Sequence, residues 1–132
     1  MKALDTNVLV RFLVKDDAEQ AKLVHSLFKQ AENQQQRLFV PILVVLEMIW
    51  VLQAVYSVQD QDILAVLNDL LSMPVLQFET QPVLHAFIGA ATGSNFDLTD
   101  LLIAHSAKGH PCESVLTFDK KAAKFAGFEL IK

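Results

Sequence analysis

Short apolar runs alternate along the chain with longer stretches in which apolar residues recur every three or four positions. The short runs predict strands, because such segments are typical of buried strands. They cover residues 2–4, 38–40, 75–78, 114–117 and 129–131. The longer stretches predict helices over residues 6–14, 17–31, 41–56, 60–71, 80–91, 97–109 and 119–125. Strands joined by helix-length crossovers predict an α/β fold, with a mostly parallel sheet covered by helices on both faces.

The composition favours one compact unit. Of the 132 residues, 52% are hydrophobic, enough to fill a single core and leave apolar side chains for an interface. No repeat and no linker rich in Pro, Gly or Ser divides the sequence, so residues 1–132 are expected to form a single domain. Pro41 and Glu47 interrupt the longest apolar stretch, and Lys2 and Asp5 stand where a signal peptide would be apolar. We therefore expect a cytoplasmic protein with no membrane segment, in agreement with its lone Cys112.

The charge of the chain bears on its partners. The net charge is −4, with 11 Lys and Arg against 15 Asp and Glu, which argues against an acidic partner such as nucleic acid. The distribution weakens that objection, because residues 38–107 contain no Lys or Arg. If the fold brings the two ends together, they form a basic rim around an acidic centre. Alternatively, the middle is core and interface, where Lys and Arg are scarce, and the sequence leaves both readings open.

Four carboxylates stand at the edges of apolar segments: Asp5, Glu47, Asp100 and Asp119. Asp5 and Asp119 closely follow predicted strands, at the sheet edge where ligands of open α/β sheets bind. Glu47 is flanked by apolar residues at helical spacing, so its face is expected to point into the interior. A buried ionised carboxylate is costly without a partner or a metal. The pattern therefore predicts one shared cation site.

Each acid also has a structural explanation. Asp5 and Asp119 suit helix caps, while Asp97 and Asp100 suit a cap and the first helical turn that follows it. Glu47 is the hardest to explain in this way, because no Lys or Arg is adjacent and it would need a distant partner or a proton. One shared cation site explains the positions of all four acids more simply than four separate structural roles do.

The chemistry of the candidate ligands indicates which cation is expected. Oxygen ligands without thiolate or imidazole favour Mg²⁺ or Mn²⁺ over Zn²⁺. Such an ion serves phosphodiester hydrolysis by polarising the phosphoryl oxygens and activating water. The histidines stand singly in the sequence, which favours packing or surface roles: His25, His85, His105 and His110.

Four spaced segments carry a family resemblance. They are MKALDTNVLVRFLVKDD, the E-x-x-W-V-L that begins at Glu47, DLTDLLIAH, and the ending TFDKKAAKFAGFELI. Together they resemble a PIN domain, specifically the VapC-type toxin ribonucleases of prokaryotic toxin–antitoxin pairs. The resemblance implies a three-layer α/β/α fold with a parallel five-stranded sheet flanked by helices. It also implies metal-dependent endoribonuclease activity on RNA, homodimerisation and inhibition by a small antitoxin protein.

The resemblance assigns expected roles residue by residue. The acids that match the family's catalytic and metal-binding quartet are Asp5, Glu47, Asp100 and Asp119. The residues at supporting positions are Thr6, Asp97 and Thr117. The candidates for RNA phosphate contacts, for which an ordinary solvated role is equally open, are Arg11, Lys120 and Lys121. We expect Asp5 and Asp100 to be the principal ligands, Glu47 a ligand or an orienter of water, and Asp119 the partner of a second ion or its hydration shell. Attack by activated water would leave a 5′ phosphate and a 3′ hydroxyl.

Other function classes share some of these features. A phosphatase with an aspartyl nucleophile also places an Asp after its first strand, but usually adds a second Asp two residues on, where this chain has Asn7. A phosphoacceptor receiver domain expects adjacent acids at that point. A non-catalytic PIN module that binds RNA or protein is opposed by the presence of all four acids.

The apolar segment 41–56 has several possible uses. Together with the apolar positions of the following helix, it suits the core, a dimer seam or an antitoxin groove. Those positions are Ile63, Leu64, Leu67 and Leu71. The sequence does not separate these uses.

Overall fold

A computed structural model describes residues 1–125 and 127–132, and Ala126 of the C-terminal motif lies outside the described residues. Within that range the helices are α1 (Thr6–Leu13), α2 (Ala18–Asn33), α3 (Ile42–Ala54), α4 (Asp60–Leu71), α5 (Gln81–Ala91) and α6 (Leu98–Lys108). The strands are β1 (Lys2–Ala3), β2 (Leu38–Val40), β3 (Leu76–Phe78), β4 (Val115–Thr117) and β5 (Phe128–Leu130). Each bound lies within two residues of its prediction. The α/β class is confirmed.

The strands pair in parallel. β1, β2 and β3 are neighbours in that order, with Lys2 opposite Leu38 and Leu38 opposite Leu76. β4 pairs with β5, with Val115 opposite Phe128. Among the described residues, the five strands thus form one ladder of three and one of two. Parallel strands joined by helices are consistent with the predicted three-layer α/β/α architecture.

The chain divides into two compact units. Unit 1 comprises residues 1–58 and 69–79 and contains β1, β2 and β3 with α1, α2 and α3. Unit 2 comprises residues 59–68 and 80–132 and contains α5, α6, β4 and β5. The boundaries cut α4, whose residues 60–68 belong to unit 2 and 69–71 to unit 1.

In unit 1, α1 packs against both α2 and α3. Leu9 and Val10 of α1 are buried, and the Phe12 ring lies 4.9 Å from the Phe28 ring of α2, centroid to centroid. The buried positions of α2 recur every three or four residues and form one apolar face. They are Ala21, Val24, Phe28 and Ala31. The helical periodicity of the sequence therefore predicts this packing correctly.

The start of α3 is tied to the end of β3. Pro41 precedes α3 and makes no side-chain hydrogen bond to it, so the first amides of the helix need another acceptor. The backbone N–H of Ile42 donates to Glu79 Oε1 at 3.2 Å, and the N–H of Glu79 donates to the Val40 carbonyl at 3.0 Å. Glu79 thus joins the carboxyl ends of β2 and β3 to the first turn of α3.

In unit 2, α5 packs against α6 and α6 packs against β4. His105 of α6 is buried, and its Nδ1 lies 2.8 Å from the Leu101 carbonyl. Its ring centroid is 6.2 Å from that of Phe87 and 6.0 Å from that of Phe125. The prediction that His105 serves packing rather than a ligand site is confirmed.

The predicted helix over 119–125 is wrong. The segment instead contains a 3₁₀ turn, Ala122–Lys124, preceded by a hydrogen-bonded turn at Asp119. The Asp119 carboxylate accepts the amides of Lys121 and Ala122, as an N-cap does, and the N–H of Ala123 donates to the Asp119 carbonyl at 3.0 Å, but the turn goes no further than Phe125. Few residues remain before β5, and so short a helix is marginal in any case. In the part of the chain described, no helix has the length and apolar character needed to cross a bilayer.

Candidate functional site

Asp5 lies where β1 gives way to α1. It is exposed, and its Oδ1 accepts the backbone N–H of Val8 at 3.3 Å as the N-cap of the helix. Thr6, the first residue of α1, is buried. The structural role anticipated for Asp5, a cap on the first helix, is therefore present.

Glu47 lies in the middle of α3, and the expectation that its face points into the interior is wrong. Glu47 is exposed. The buried positions of α3 recur at helical spacing on the opposite side and are Val45, Met48, Ile49 and Leu52. Leu43 and Trp50 share the exposed side with Glu47 and are 73% and 58% exposed. Since α1 packs against α3, the elements that carry Asp5 and Glu47 are neighbours within unit 1.

Asp97 and Asp100 lie at the start of α6, as the capping pattern predicts. Asp97 is the N-cap, and its Oδ1 accepts the backbone N–H of Asp100 at 3.0 Å and the Thr99 hydroxyl at 2.5 Å. Partial burial alone would raise the pKa of Asp97. The hydrogen bonds from Thr99 and Asp100 and the nearby positive charge of Lys121 outweigh burial and lower that pKa.

Asp100 is in the opposite electrostatic situation. Its pKa is raised, first by partial burial and then by the negative charges of Asp97 and Asp119. Its side chain therefore lies close enough to both carboxylates for their charges to repel its own. Because ionised Asp100 is disfavoured by its surroundings, a cation beside it would be favoured.

Asp119 is held by its own backbone neighbours. Its Oδ1 accepts the N–H of Lys121 at 2.8 Å and that of Ala122 at 3.2 Å. Its own N–H donates to Thr117 Oγ1 at 3.0 Å, so the hydroxyl at the end of β4 fixes the residue that bears the carboxylate. The supporting position anticipated for Thr117 thus has a physical basis in unit 2.

The candidate phosphate contacts differ in their surroundings. Arg11 donates to Gln20 Oε1 at 2.6 Å and, through Nη1, to Asp16 Oδ1 and the Tyr56 hydroxyl, both at 3.2 Å. Its pKa is raised, mainly by the bond to Tyr56. The positive charge of Lys121 helps to lower the pKa of Asp97, whereas Lys120 is exposed and follows Asp119 in the chain. Arg11 therefore has an evident structural role that local sequence patterns do not reveal, because Tyr56 is 45 residues away.

The donor chemistry of the acids can be compared with that of a metal site. Asp100 and Asp119 lie near each other in unit 2 and offer hard oxygen donors, the kind that Mg²⁺ or Mn²⁺ prefers. Taken singly, neither unit arranges three or more His, Cys, Asp or Glu side chains so that they could hold a metal ion, over residues 1–125 and 127–132. Of the four predicted ligands, Asp100 and Asp119 belong to unit 2, and Asp5 and Glu47 belong to unit 1.

Comparison with known proteins adds to this geometry. The profile of the PIN domain family matches residues 2–128. The chain belongs to the PIN domain family. This PIN domain is also similar to a protein named VapC ribonuclease from Aquifex aeolicus (strain VF5). The two are 27% identical over 131 residues, which cover 99% of this chain and 96% of the relative.

These matches confirm the resemblance that the four motifs carry. They span the whole PIN domain, including the segments around Asp5, Glu47, Asp100 and Asp119. Sequence reasoning located the caps at Asp5 and Asp97 but missed the Arg11–Tyr56 contact and the effect of the Lys121 charge on the pKa of Asp97. The effect of Lys121 could have been inferred from its position two residues after Asp119, but the predicted helix over residues 119–125 gave a different local geometry there.

Proposed function

We propose that this PIN domain is a metal-dependent endoribonuclease that acts as the toxin of a toxin–antitoxin pair in the cytoplasm. The observation that carries the proposal is the end-to-end similarity to a relative named VapC ribonuclease, over 99% of the chain. The raised pKa of Asp100 supports it, because a cation beside this carboxylate would offset the burial and the negative charges of Asp97 and Asp119 that oppose its ionisation. We treat residues 1–132 as one PIN domain.

The proposed ligands of the metal are the predicted quartet, Asp5, Glu47, Asp100 and Asp119. All four are oxygen donors, and three of them, Asp5, Glu47 and Asp119, are exposed to solvent. When bound, Mg²⁺ or Mn²⁺ would polarise the scissile phosphate and lower the pKa of water. Asp100 gains most from such a cation, since its neighbours oppose its ionisation.

The supporting residues hold these acids in place. Asp97 fixes the first turn of α6 through the Asp100 amide, and Thr117 fixes the Asp119 amide. Lys120, exposed beside Asp119, is proposed to contact an RNA phosphate. Arg11 and Lys121 are proposed to contribute positive charge near the substrate while keeping their partners within the protein.

Hydrolysis by water predicts the chemistry of the products. In-line attack on the phosphate displaces the 3′ oxygen of the preceding nucleotide, so the fragments carry a 5′ phosphate and a 3′ hydroxyl. A ribonuclease that uses the 2′ hydroxyl of RNA as nucleophile instead leaves a cyclic phosphate. The ends of the products therefore separate the two mechanisms.

The proposed partners are a second copy of the chain and a small antitoxin. Leu43 and Trp50 on the exposed side of α3 supply apolar surface for the dimer. The neighbouring positions that suited a seam from sequence, Ile63, Leu64, Leu67 and Leu71, are buried within the chain itself. The dimer surface is therefore assigned to α3 alone.

The function is tested by inducing the chain in bacteria and mapping new RNA ends across the transcriptome. Wild-type protein is expected to produce discrete new 5′-phosphate ends, and Asp100→Asn none. Asp69→Asn makes the same chemical change at an exposed position of α4 and is expected to behave as wild type. If neither wild type nor Asp100→Asn produces new ends while both proteins are folded, the nuclease proposal is wrong, and a phosphatase or a non-catalytic binding module would take its place. New ends in both would exclude only the role of Asp100.

A further inference from the structure

Phe118, which connects β4 to Asp119, is unusually exposed for an aromatic residue. Its side chain is 79% exposed, and that of Leu116, two positions earlier in β4, is 63% exposed. Isolated exposed apolar residues are common on protein surfaces and need no explanation. Two further observations distinguish Phe118 from such residues.

The first observation is that the backbone on both sides of Phe118 is anchored. The N–H of Asp119 donates to Thr117 Oγ1 at 3.0 Å, a bond that spans Phe118. Before it, the Thr117 carbonyl accepts the N–H of Ile131 at 2.8 Å. After it, the Asp119 carboxylate accepts the amides of Lys121 and Ala122. The ring is therefore presented from a fixed backbone, so binding through it would require little additional ordering.

The second observation is the charge around the ring. Residues 118–124 contain three lysines, Lys120, Lys121 and Lys124, against the single acid Asp119, a formal charge of +2 (3 − 1). The whole chain has a net charge of −4. An aromatic ring beside lysines is the combination by which proteins hold single-stranded nucleic acid, with bases on the ring and phosphates on the cations. Asp97 and Asp100 also lie near Asp119, so it is the three lysines of this segment, and not the net charge of the site, that favour a polyanion over an apolar protein partner.

We propose that Phe118 is a stacking platform for an unpaired base of the RNA, at a nucleotide next to the phosphate that is cleaved. This inference rests on the proposed function, because it identifies the substrate as RNA. Phe118 and Asp119 are consecutive residues, with Cα atoms about 3.8 Å apart, so a phosphate near Asp119 brings its neighbouring base to the ring. A base can stack in this way only where it is free of the helix, which restricts the substrate to single strands, loops and bulges.

The test measures RNA binding without cleavage. A single-stranded RNA with 2-aminopurine at one position is titrated with the full chain in EDTA, and both affinity and fluorescence quenching are recorded. Phe118→Leu keeps an apolar side chain without a ring and is expected to weaken binding by about 5- to 150-fold, with loss of quenching. Phe118→Trp is expected to retain both. Leu116→Ala, the matched control at an exposed apolar residue of β4, is expected to leave binding unchanged.

Each alternative result has a defined meaning. If wild type and Phe118→Leu bind the RNA equally and both quench the probe, the stacking role is wrong, although cleavage by the wild type would leave the proposed function intact. If the wild type quenches through Phe118 but never cleaves RNA, the stacking role stands and the nuclease proposal fails. If Phe118→Leu changes only self-association or capture of a protein partner, the residue belongs to a protein interface. Should Phe118→Leu misfold, the quenching of the probe by wild type is compared with that by Phe118→Trp. If neither protein quenches the probe, the proposal is overturned.

Discussion

At the scale of single residues, Asp100 carries the clearest electrostatic cost. Burial first, and then the charges of Asp97 and Asp119, raise its pKa. A carboxyl group with a higher pKa in the folded state binds its proton more tightly there than in the unfolded chain. Without metal, folding stability therefore falls as the pH rises from the ordinary Asp value, about 3.9, through the raised value. Above that window the cost of ionised Asp100 is fully present.

The raised pKa of Asp100 means that its ionised form destabilises the fold, and this gives a testable prediction. Asp100→Asn removes the repulsion, so at pH 7 and without metal its melting temperature is expected to exceed that of the wild type, by up to about 4 °C. The difference should shrink below pH ~3.5, where Asp100 is protonated in the wild type as well. Thermal denaturation across this pH range measures the effect. A variant that melts below the wild type at pH 7 would contradict the electrostatic account of Asp100.

Glu47 shows where sequence reasoning failed at this scale. Its neighbours on α3 are apolar on every side of the helix, so hydrophobic periodicity identifies the helix but not which side is buried. Tertiary packing buries Val45 and Met48 and leaves Glu47 with the exposed Leu43 and Trp50. The role of Asp97 was easier to predict, because a cap depends only on residues two and three positions away.

At the scale of elements, the N-terminus of α6 depends on Asp97. Asp97→Ala is expected to lower the free energy of unfolding by about 0.5–2 kcal/mol, and Asp97→Asn by much less, since Asn is an equally good cap. The pKa of Asp97 is lowered, so its charge stabilises the fold above the ordinary Asp value and that contribution is lost as the pH falls through the lowered value. Urea denaturation of the three proteins at pH 7 and at pH 3 measures both effects. If Asp97→Ala and the wild type were equally stable at pH 7, the cap would be dispensable.

Tyr56 ties the end of α3 to the region between α1 and α2. Its hydroxyl donates to Asp16 Oδ2 at 2.9 Å and accepts from Arg11. Tyr56→Phe removes both bonds and is expected to lower the free energy of unfolding by about 1 kcal/mol. Because Asp16 shares the network, the double variant Tyr56→Phe with Asp16→Asn should lose less than the sum of the single variants. Strict additivity in chemical denaturation would mean that the network is not formed.

The bounds of the regular elements were largely predictable from the sequence. Segments such as Ala18–Asn33 have a polar cap at Asp17 and apolar residues at helical spacing, so local patterns determine them. The segment after Asp119 was not predictable in this way. Its side chains suit a helix and Asp119 caps its first turn, but too few residues separate Asp119 from β5 for an α-helix to propagate.

At the scale of the whole molecule, self-association is the first property to measure. Leu43 and Trp50 expose apolar surface on α3, and the proposal assigns this surface to a homodimer. Wild-type chain is expected to sediment as a dimer and Trp50→Glu as a monomer, because the substitution removes the apolar ring and adds a second negative charge on the side of α3 that already carries Glu47. Leu23→Glu on α2, where Leu23 is 70% exposed, is the matched control and should remain dimeric. A monomeric wild type, or a dimeric Trp50→Glu, would exclude α3 as the seam.

The proposed common site of the four acids is a claim about the whole molecule that rests on the sequence and on the similarity to known proteins. The sequence selects Asp5, Glu47, Asp100 and Asp119 through their positions in four motifs. The structure explains the local placement of three of them, through the cap on α1, the first turn of α6 and the turn after β4. Their common task remains a proposal that depends on the similarity to a VapC ribonuclease.

The most direct test of the central claim is cleavage of a defined single-stranded RNA by the purified chain, with the ends of every fragment identified. We expect discrete fragments with 5′ phosphates and 3′ hydroxyls when Mg²⁺ or Mn²⁺ is present, none in EDTA, and none with Asp100→Asn. Cleavage that persists in EDTA or in Asp100→Asn, or that leaves cyclic phosphates, would contradict the account of a metal-dependent nuclease built on these carboxylates.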